Sequence, residues 1–318
     1  YNPYANSLDG LTIDNPVQSF FDFCKERENI RLKRERGMPR PWSKDPIFQN
    51  GRFLNVFRED DRVSKSIFKF VDRLQCSLPE LIRALFFARW CNRQEVIDHI
   101  SKEIFMSSNK LKSFLYNCND WCNENAYPVE KINWQDKLFS RIDAATILFD
   151  LIKKDLTNMI IGSNNSVIKA TNEINIYFKM KNDFPIFMAV IDIAWFRPDI
   201  ISPNSHVPTG IGAVAYLDRL QHYLGLNNHQ DTCQKMIELQ KSHWPESKRQ
   251  FYPIDIEYLS CECRKYYSYV NGTKKFEGKN FFKPKVKVWY PASKTFYLMS
   301  AKEKFLKRTK LPLRLGKI

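Results

Sequence analysis

Apolar residues recur along this chain mostly at three- and four-residue spacing, the period of a helix with one buried face. Asn15-Pro16 pairs a capping side chain with a proline at the first helical position. Val17, Phe20, Phe21 and Cys24 then fall on one face, and Gly37 supplies the stop. Asp45-Pro46 repeats the start signal ahead of Ile47, Phe48, Phe53, Leu54 and Phe57, which predicts a second helix. Ser77-x-x-Glu80 reads as a capping box opening onto Leu81, Ile82, Leu85 and Phe86, and Asn92-x-x-Glu95 as another. Trp134 to Leu156 keeps helical spacing through Leu138, Ile142, Leu148, Leu151 and Ile152. Pro253 begins one more helix, with Ile256, Leu259 and Cys263 on a face. Two stretches depart from this period. Phe187 to Phe196 (FMAVIDIAWF) is a continuous apolar run that suits a strand or a buried helix, and Lys285 to Tyr290 (KVKVWY) alternates as a strand does. Loops are expected at Asn158 to Ser166 and Pro198 to Pro208. The pattern predicts a mainly α-helical domain with a basic, partly β C-terminal extension.

Composition narrows the function classes. The 318 residues suffice for one large domain or two ordinary ones, and 43% hydrophobic with 14% aromatic content excludes wholesale disorder. No run approaches the roughly 18 apolar residues of a spanning helix, so no membrane partner is expected. The chain opens at Tyr1, which reads as a processed or trimmed start, and no signal peptide is recognisable. The net charge is +15, and its placement matters more than its size. Residues 263–318 hold 16 Lys and Arg against two acids, whereas the preceding 262 residues carry 34 basic and 33 acidic groups. Clustered basic groups of this kind release counterions from a polyanion such as DNA; a solubilising or protein-binding tail is the other reading. Eight cysteines show no disulfide-framework spacing, and five scattered histidines complete no zinc-binding set. Reduced thiols in an intracellular compartment are expected, with no metal and no cofactor.

Several stretches suggest chemistry. In "HVPTGIGAVAYLDRL" (His206 to Leu220), Gly210 and Gly212 precede a helix start, the pattern of a helix-hairpin-helix turn. Such glycines let backbone approach a phosphate, although an ordinary glycine turn has the same letters. Asp231 stands about where helix-hairpin-helix glycosylases place a catalytic aspartate, yet after Asn227-Asn228-His229-Gln230 it reads as a helix N-cap. Gly272 to Lys279 fails as a nucleotide-binding loop. Five residues separate its glycines where four are needed, and Asn280 replaces the magnesium-binding hydroxyl, so kinase activity within this chain is disfavoured. The run Arg58-Glu59-Asp60-Asp61-Arg62 joins two helical patterns. There Asp60 or Asp61 can cap a helix while the arginines pair locally or reach phosphate. Trp42 suits a base-stacking platform or a lid over the core.

The segment "RERGMPRPWSKDPIFQNGRFLNVFREDDRV" (Arg34 to Val63) strongly resembles the hallmark of the alpha-glutamyl/putrescinyl thymine pyrophosphorylase superfamily. That superfamily includes the helical domain attached to phage 5-hydroxymethyluracil DNA kinases and DNA base hypermodification proteins. Arg36, Pro39, Pro41, Trp42, Asp45, Pro46, Ile47, Arg52, Phe53, Asn55, Val56, Arg58, Glu59, Asp61, Arg62 and Val63 match its pattern. "FMAVIDIAW" and "IDIEYLSCECRKYYSYVNGTKKF" resemble two later segments, so the likeness spans about residues 18–282. Arg264 departs from the family's Asp and Tyr258 from its His.

The resemblance implies a glycosylase-like helical domain over residues 1–282, with the basic extension at 283–318. It implies work on a modified thymine or 5-hydroxymethyluracil held out of the DNA stack, and a location with DNA, whether nuclear, phage or viral. Asp61, Asp192 and Glu257 become the pocket acids. Arg40, Trp42, Arg58, Arg62 and Lys265 become nucleic-acid contacts; the glycine turn adds Gly210 and Gly212, and the basic run adds Lys283, Lys285 and Lys287. The alternative is a catalytically inactive relative that binds nucleic acid or a protein partner as an assembly subunit.

Overall fold

The computed structural model describes residues 2–276. They form two compact units: residues 2–61 with 203–276 (unit 1), and residues 62–202 (unit 2). Unit 1 begins with α1 (Pro16–Glu35), α2 (Pro46–Asn50) and a 3-10 turn at Arg58–Asp60. Unit 2 contains α3 (Arg62–Leu74), α4 (Leu78–Cys91), α5 (Gln94–Ile97), α6 (Lys102–Phe105) and α7 (Ser108–Tyr116). A hairpin of β1 (Ile132–Trp134) and β2 (Lys137–Phe139) follows, then α8 (Arg141–Asp143), α9 (Phe149–Leu151), α10 (Lys153–Gly162), α11 (Val167–Phe178) and α12 (Phe184–Phe196). The chain returns to unit 1 with α13 (Val214–Leu224), α14 (His229–His243) and α15 (Pro253–Val270). The fold is mainly helical, and no helix among the described residues is long and apolar enough to cross a membrane. The expected strand at Lys285 to Tyr290 and the rest of the basic extension lie outside the described residues.

In unit 1 the apolar stripes of four helices meet. Phe20, Phe21 and Cys24 of α1 join Tyr216, Leu217 and Leu220 of α13, Cys233 and Met236 of α14, and Ile256, Leu259 and Cys263 of α15. Asn15 caps α1 by accepting the Gln18 N–H at 2.9 Å, with Pro16 as first residue. Asp45 caps α2, but that helix ends at Asn50 instead of continuing to Phe57. The backbone beyond it is bonded by side chains from elsewhere: Arg27 donates to the Phe53 carbonyl, and Glu262 accepts the Leu54 N–H. Val56 and Phe57 are buried, while Leu54 faces outward.

Unit 2 is organised around α4 and α12, which are apolar nearly all round and pack together. This settles the FMAVIDIAWF run as a buried helix. Other expectations need correction. The Ser77 hydroxyl makes no capping bond to α4, and the Glu80 carboxylate that would complete the box bonds Arg83 (3.0 Å) and Lys153 instead. Asn92 ends α4 in the left-handed region (φ 43°) instead of starting α5. The helix expected from Trp134 starts only at Arg141, capped by Ser140. Before it, Gln135 and Asp136 both adopt positive φ, making the two-residue turn between β1 and β2. The loop expected over Asn158–Ser166 shrinks to its last four residues, since α10 keeps Leu156 and Ile160 buried.

Candidate functional site

The first part of the site is the fastening of the Pro39–Asp61 segment to α1 and α15. Tyr266 donates to Asp45 Oδ2 at 2.5 Å, and Tyr258 donates to the carbonyls of Asn55 (3.2 Å) and Val56. Asn55 Oδ1 accepts from Arg27 at 2.6 Å, while its Nδ2 donates to the Asp60 carbonyl at 3.0 Å. The charge run also has inward partners. Arg249 grips both Glu59 oxygens at 2.9 Å and both Asp255 oxygens at 2.6 and 3.1 Å. Lys248 reaches Asp60 at 2.7 Å, and Arg31 approaches it at 3.4 Å. Burial alone would raise the Glu59 carboxyl, but Arg249 and Lys248 outweigh it and hold it at about 2. Glu59 and Asp60 therefore bind the segment to α1, the 248–249 turn and the first turn of α15.

Trp42 stands at the outer edge of this assembly, half-buried. Its Nε1 donates to the Met38 carbonyl at 2.7 Å, and Lys33 donates to its own carbonyl at 2.8 Å. The guanidinium carbons of Arg40 and Arg34, both exposed residues, lie 4.5 and 5.2 Å from the indole centroid. An indole with two guanidiniums beside it at a basic helix end can stack on a base while the arginines meet phosphate.

The second part is built where the glycine segment meets α15. Residues 197–213 form a loop ahead of α13, a longer connection than the two to five residues of a tight αα-hairpin. Gly210 N–H donates to Glu257 Oε1 at 2.9 Å. A Cβ on Gly210 would stand 3.0 Å from that oxygen, and one on Gly212 would stand 2.6 Å from Cys261 Sγ. The glycines thus permit close approach to α15. Arg264 locks the contact, donating to the Gly212 carbonyl at 3.1 Å with its guanidinium 4.1 Å from the Tyr4 ring. The two departures from the family pattern, Tyr258 and Arg264, both serve as fasteners here.

Glu257 is 8% exposed, and burial pushes its carboxyl up to about 7, against the stabilising Gly210 N–H. Such a group can give or take a proton near neutral pH. Beside Gly210, Thr209 Oγ1 is 3.1 Å from His229 Nδ1, and His229 Nε2 is 2.8 Å from Asp218 Oδ1. The contact with the Asp218 carboxylate requires a proton on Nε2, and the Thr209 hydroxyl can serve Nδ1 as donor or acceptor. His206 Nδ1 is buried without a hydrogen-bond partner among the described residues, and burial, then the nearby His229, lowers its basicity. The sequence patterns assign no role to Thr209, His206, His229 or Asp218. Their only signal was that three lie within the quoted glycine segment.

The remaining sequence-predicted residues are divided between the two units. Asp61 closes the 3-10 turn that contains Arg58, and Arg62 is an exposed first residue of α3 in unit 2. Asp192, fully buried in unit 2, receives Arg89 through both oxygens at 2.5 and 2.9 Å. Lys265 pairs with Glu262 at 2.8 Å and lies 5.2 Å from the Phe53 ring. Asp231 is not an N-cap: Asn228 caps α14 by accepting the Asp231 N–H at 2.8 Å. Lys283, Lys285 and Lys287 lie outside the described residues. Among those described, no cluster of His, Cys, Asp and Glu is arranged to hold a metal ion, and all eight cysteines are free thiols.

A family model described as "5-hmdU DNA kinase, helical domain" matches residues 14–275. No curated protein and no solved structure matches the chain.

Proposed function

This chain belongs to the 5-hmdU DNA kinase helical-domain family, and from that premise we propose that it binds DNA, receives a 5-substituted uracil turned out of the stack, and modifies or excises it. Glu257 is the proton-transfer group of this reading. The observation that carries it is a buried carboxylate poised near pH 7, with one oxygen oriented by the Gly210 N–H. Trp42, with Arg34 and Arg40, supplies stacking and phosphate contact at the end of α1. Asp61 is assigned to ligand positioning. Asp192, closed off by Arg89, is assigned to holding α4 and α12 together. The glycosylase-like likeness and the run of Lys283, Lys285 and Lys287 along the phosphate backbone belong to the same proposal.

A second reading draws on the use of Tyr258 and Arg264 as fasteners: an inactive relative that binds DNA or a protein partner as an assembly subunit. The experiment is to incubate the protein with duplexes carrying 5-hydroxymethyluracil or its phosphorylated form, with and without an added amine, and to weigh the released nucleosides. A new nucleoside or a lost base, reduced about 100-fold or more by Glu257→Gln, supports the enzyme. DNA bound and left unchanged under every condition supports the scaffold.

A further inference from the structure

Unit 2 carries an exposed feature that the reading above does not use. Along α3, Arg62, Lys65, Lys69 and Arg73 are exposed and spaced three, four and four residues apart, which puts them on a single stripe. The opposite side buries Ile67, Phe70, Val71 and Leu74. Asp72 is the one acid in the helix. Arg73 is held in place by donating to the carbonyls of Ile97 and Ile100 at 3.2 and 3.4 Å.

Phe68 borders the stripe, and Trp195 lies flat against it, with ring centroids 5.5 Å apart and planes 8° from parallel. Phe196 meets Phe68 edge-on at 5.2 Å. Trp195 is 37% exposed, although it follows ten consecutive buried residues near the end of α12. A flat, supported indole beside a row of cations is the pairing that binds a nucleic-acid strand: phosphates meet the row and a base stacks on the ring.

We propose that the α3 stripe and Trp195 form a single-stranded nucleic-acid site on unit 2, a surface that rests on the DNA-binding part of the reading above and extends it. The stripe runs about 16 Å, long enough to meet several successive phosphates of one strand. The strand is single because stacking on Trp195 needs an unpaired base face.

The test is fluorescence anisotropy of the full chain with a short labelled oligothymidine across a salt series, with unlabelled single strand and duplex as competitors. Lys65→Glu combined with Lys69→Glu alters only exposed positions. It is expected to flatten the log–log salt slope by about 1.4, at about 0.7 per lost phosphate contact. Trp195→Ala is expected to weaken binding about 5- to 150-fold, with Trp195→Phe recovering part of the loss. If Trp195→Ala does not fold by circular dichroism, the lysine variant decides. Wild-type binding with an unchanged slope in that variant overturns this inference alone. So does duplex competing as well as single strand. A wild-type chain that binds no oligonucleotide overturns both this inference and the DNA-binding reading.

Discussion

Replacing Glu257 with Gln keeps an oxygen for the Gly210 N–H and removes the titration. Burial raises this carboxyl from 4.5 to about 7. Between those values the folded protein therefore holds a proton that the unfolded chain has released. The sign follows: Glu257 lowers stability as pH climbs through that window, and the full loss is present above about 7. A shift of about 2.5 units at 1.36 kcal/mol each gives a cost on the order of 3 kcal/mol. Urea unfolding of wild type and Glu257→Gln at matched pH values isolates this group, because other titrations are shared and cancel in the difference. The variant is expected to gain about 2.5 kcal/mol relative to wild type between pH 5 and pH 8. Parallel stability curves across that range would refute the reasoning, showing the carboxylate to be solvated or compensated.

Gly212→Ala places a methyl group 2.6 Å from Cys261 Sγ. It is expected to cost about 1–3 kcal/mol by thermal or urea unfolding, with Cys261→Ala in the same chain recovering much of it. Arg249→Met strands Glu59 and Asp255 and is expected to cost about 3–5 kcal/mol at pH 7. Because Arg249 and Lys248 hold Glu59 at about 2, the stability that this pair contributes is present above about pH 4.5 and lost toward 2. The gap between Arg249→Met and wild type should therefore narrow on acidification; a gap constant with pH would count against the ion network. Asp192→Asn leaves Arg89 buried without its carboxylate and is expected to cost about 3–5 kcal/mol in chemical denaturation, with a loss below about 1 kcal/mol contradicting its assignment to the unit 2 core.

Local signals read well from the sequence where the physics is local. Asn15-Pro16, Asp45-Pro46 and Pro253 mark true helix starts because caps and N1 prolines act within one turn. Length and all-round burial decided FMAVIDIAWF, which apolar content alone left between strand and helix. The sequence from Trp134 predicts a helix because the hairpin turn there, Gln135–Asp136, lacks the glycine that usually announces positive φ. The second helix stopped early because its continuation is bonded by Arg27, Glu262 and Tyr258, partners remote in sequence. The same holds for the site. Gly210 is legible through the glycine-turn pattern and Glu257 through resemblance, but their hydrogen bond, and the rise in basicity that burial causes, exist only once the loop folds onto α15.

The most direct measurement is a carbon-13 NMR titration of the Glu257 carboxyl, assigned by Glu257→Gln, in the free protein and with oligonucleotides bearing either 5-hydroxymethyluracil or thymine. The account predicts a midpoint near 7 in the free protein and a displacement of about one unit or more with the modified base only, as a neighbouring polar group would produce. A midpoint near 4.5, or one that neither oligonucleotide moves, would contradict it.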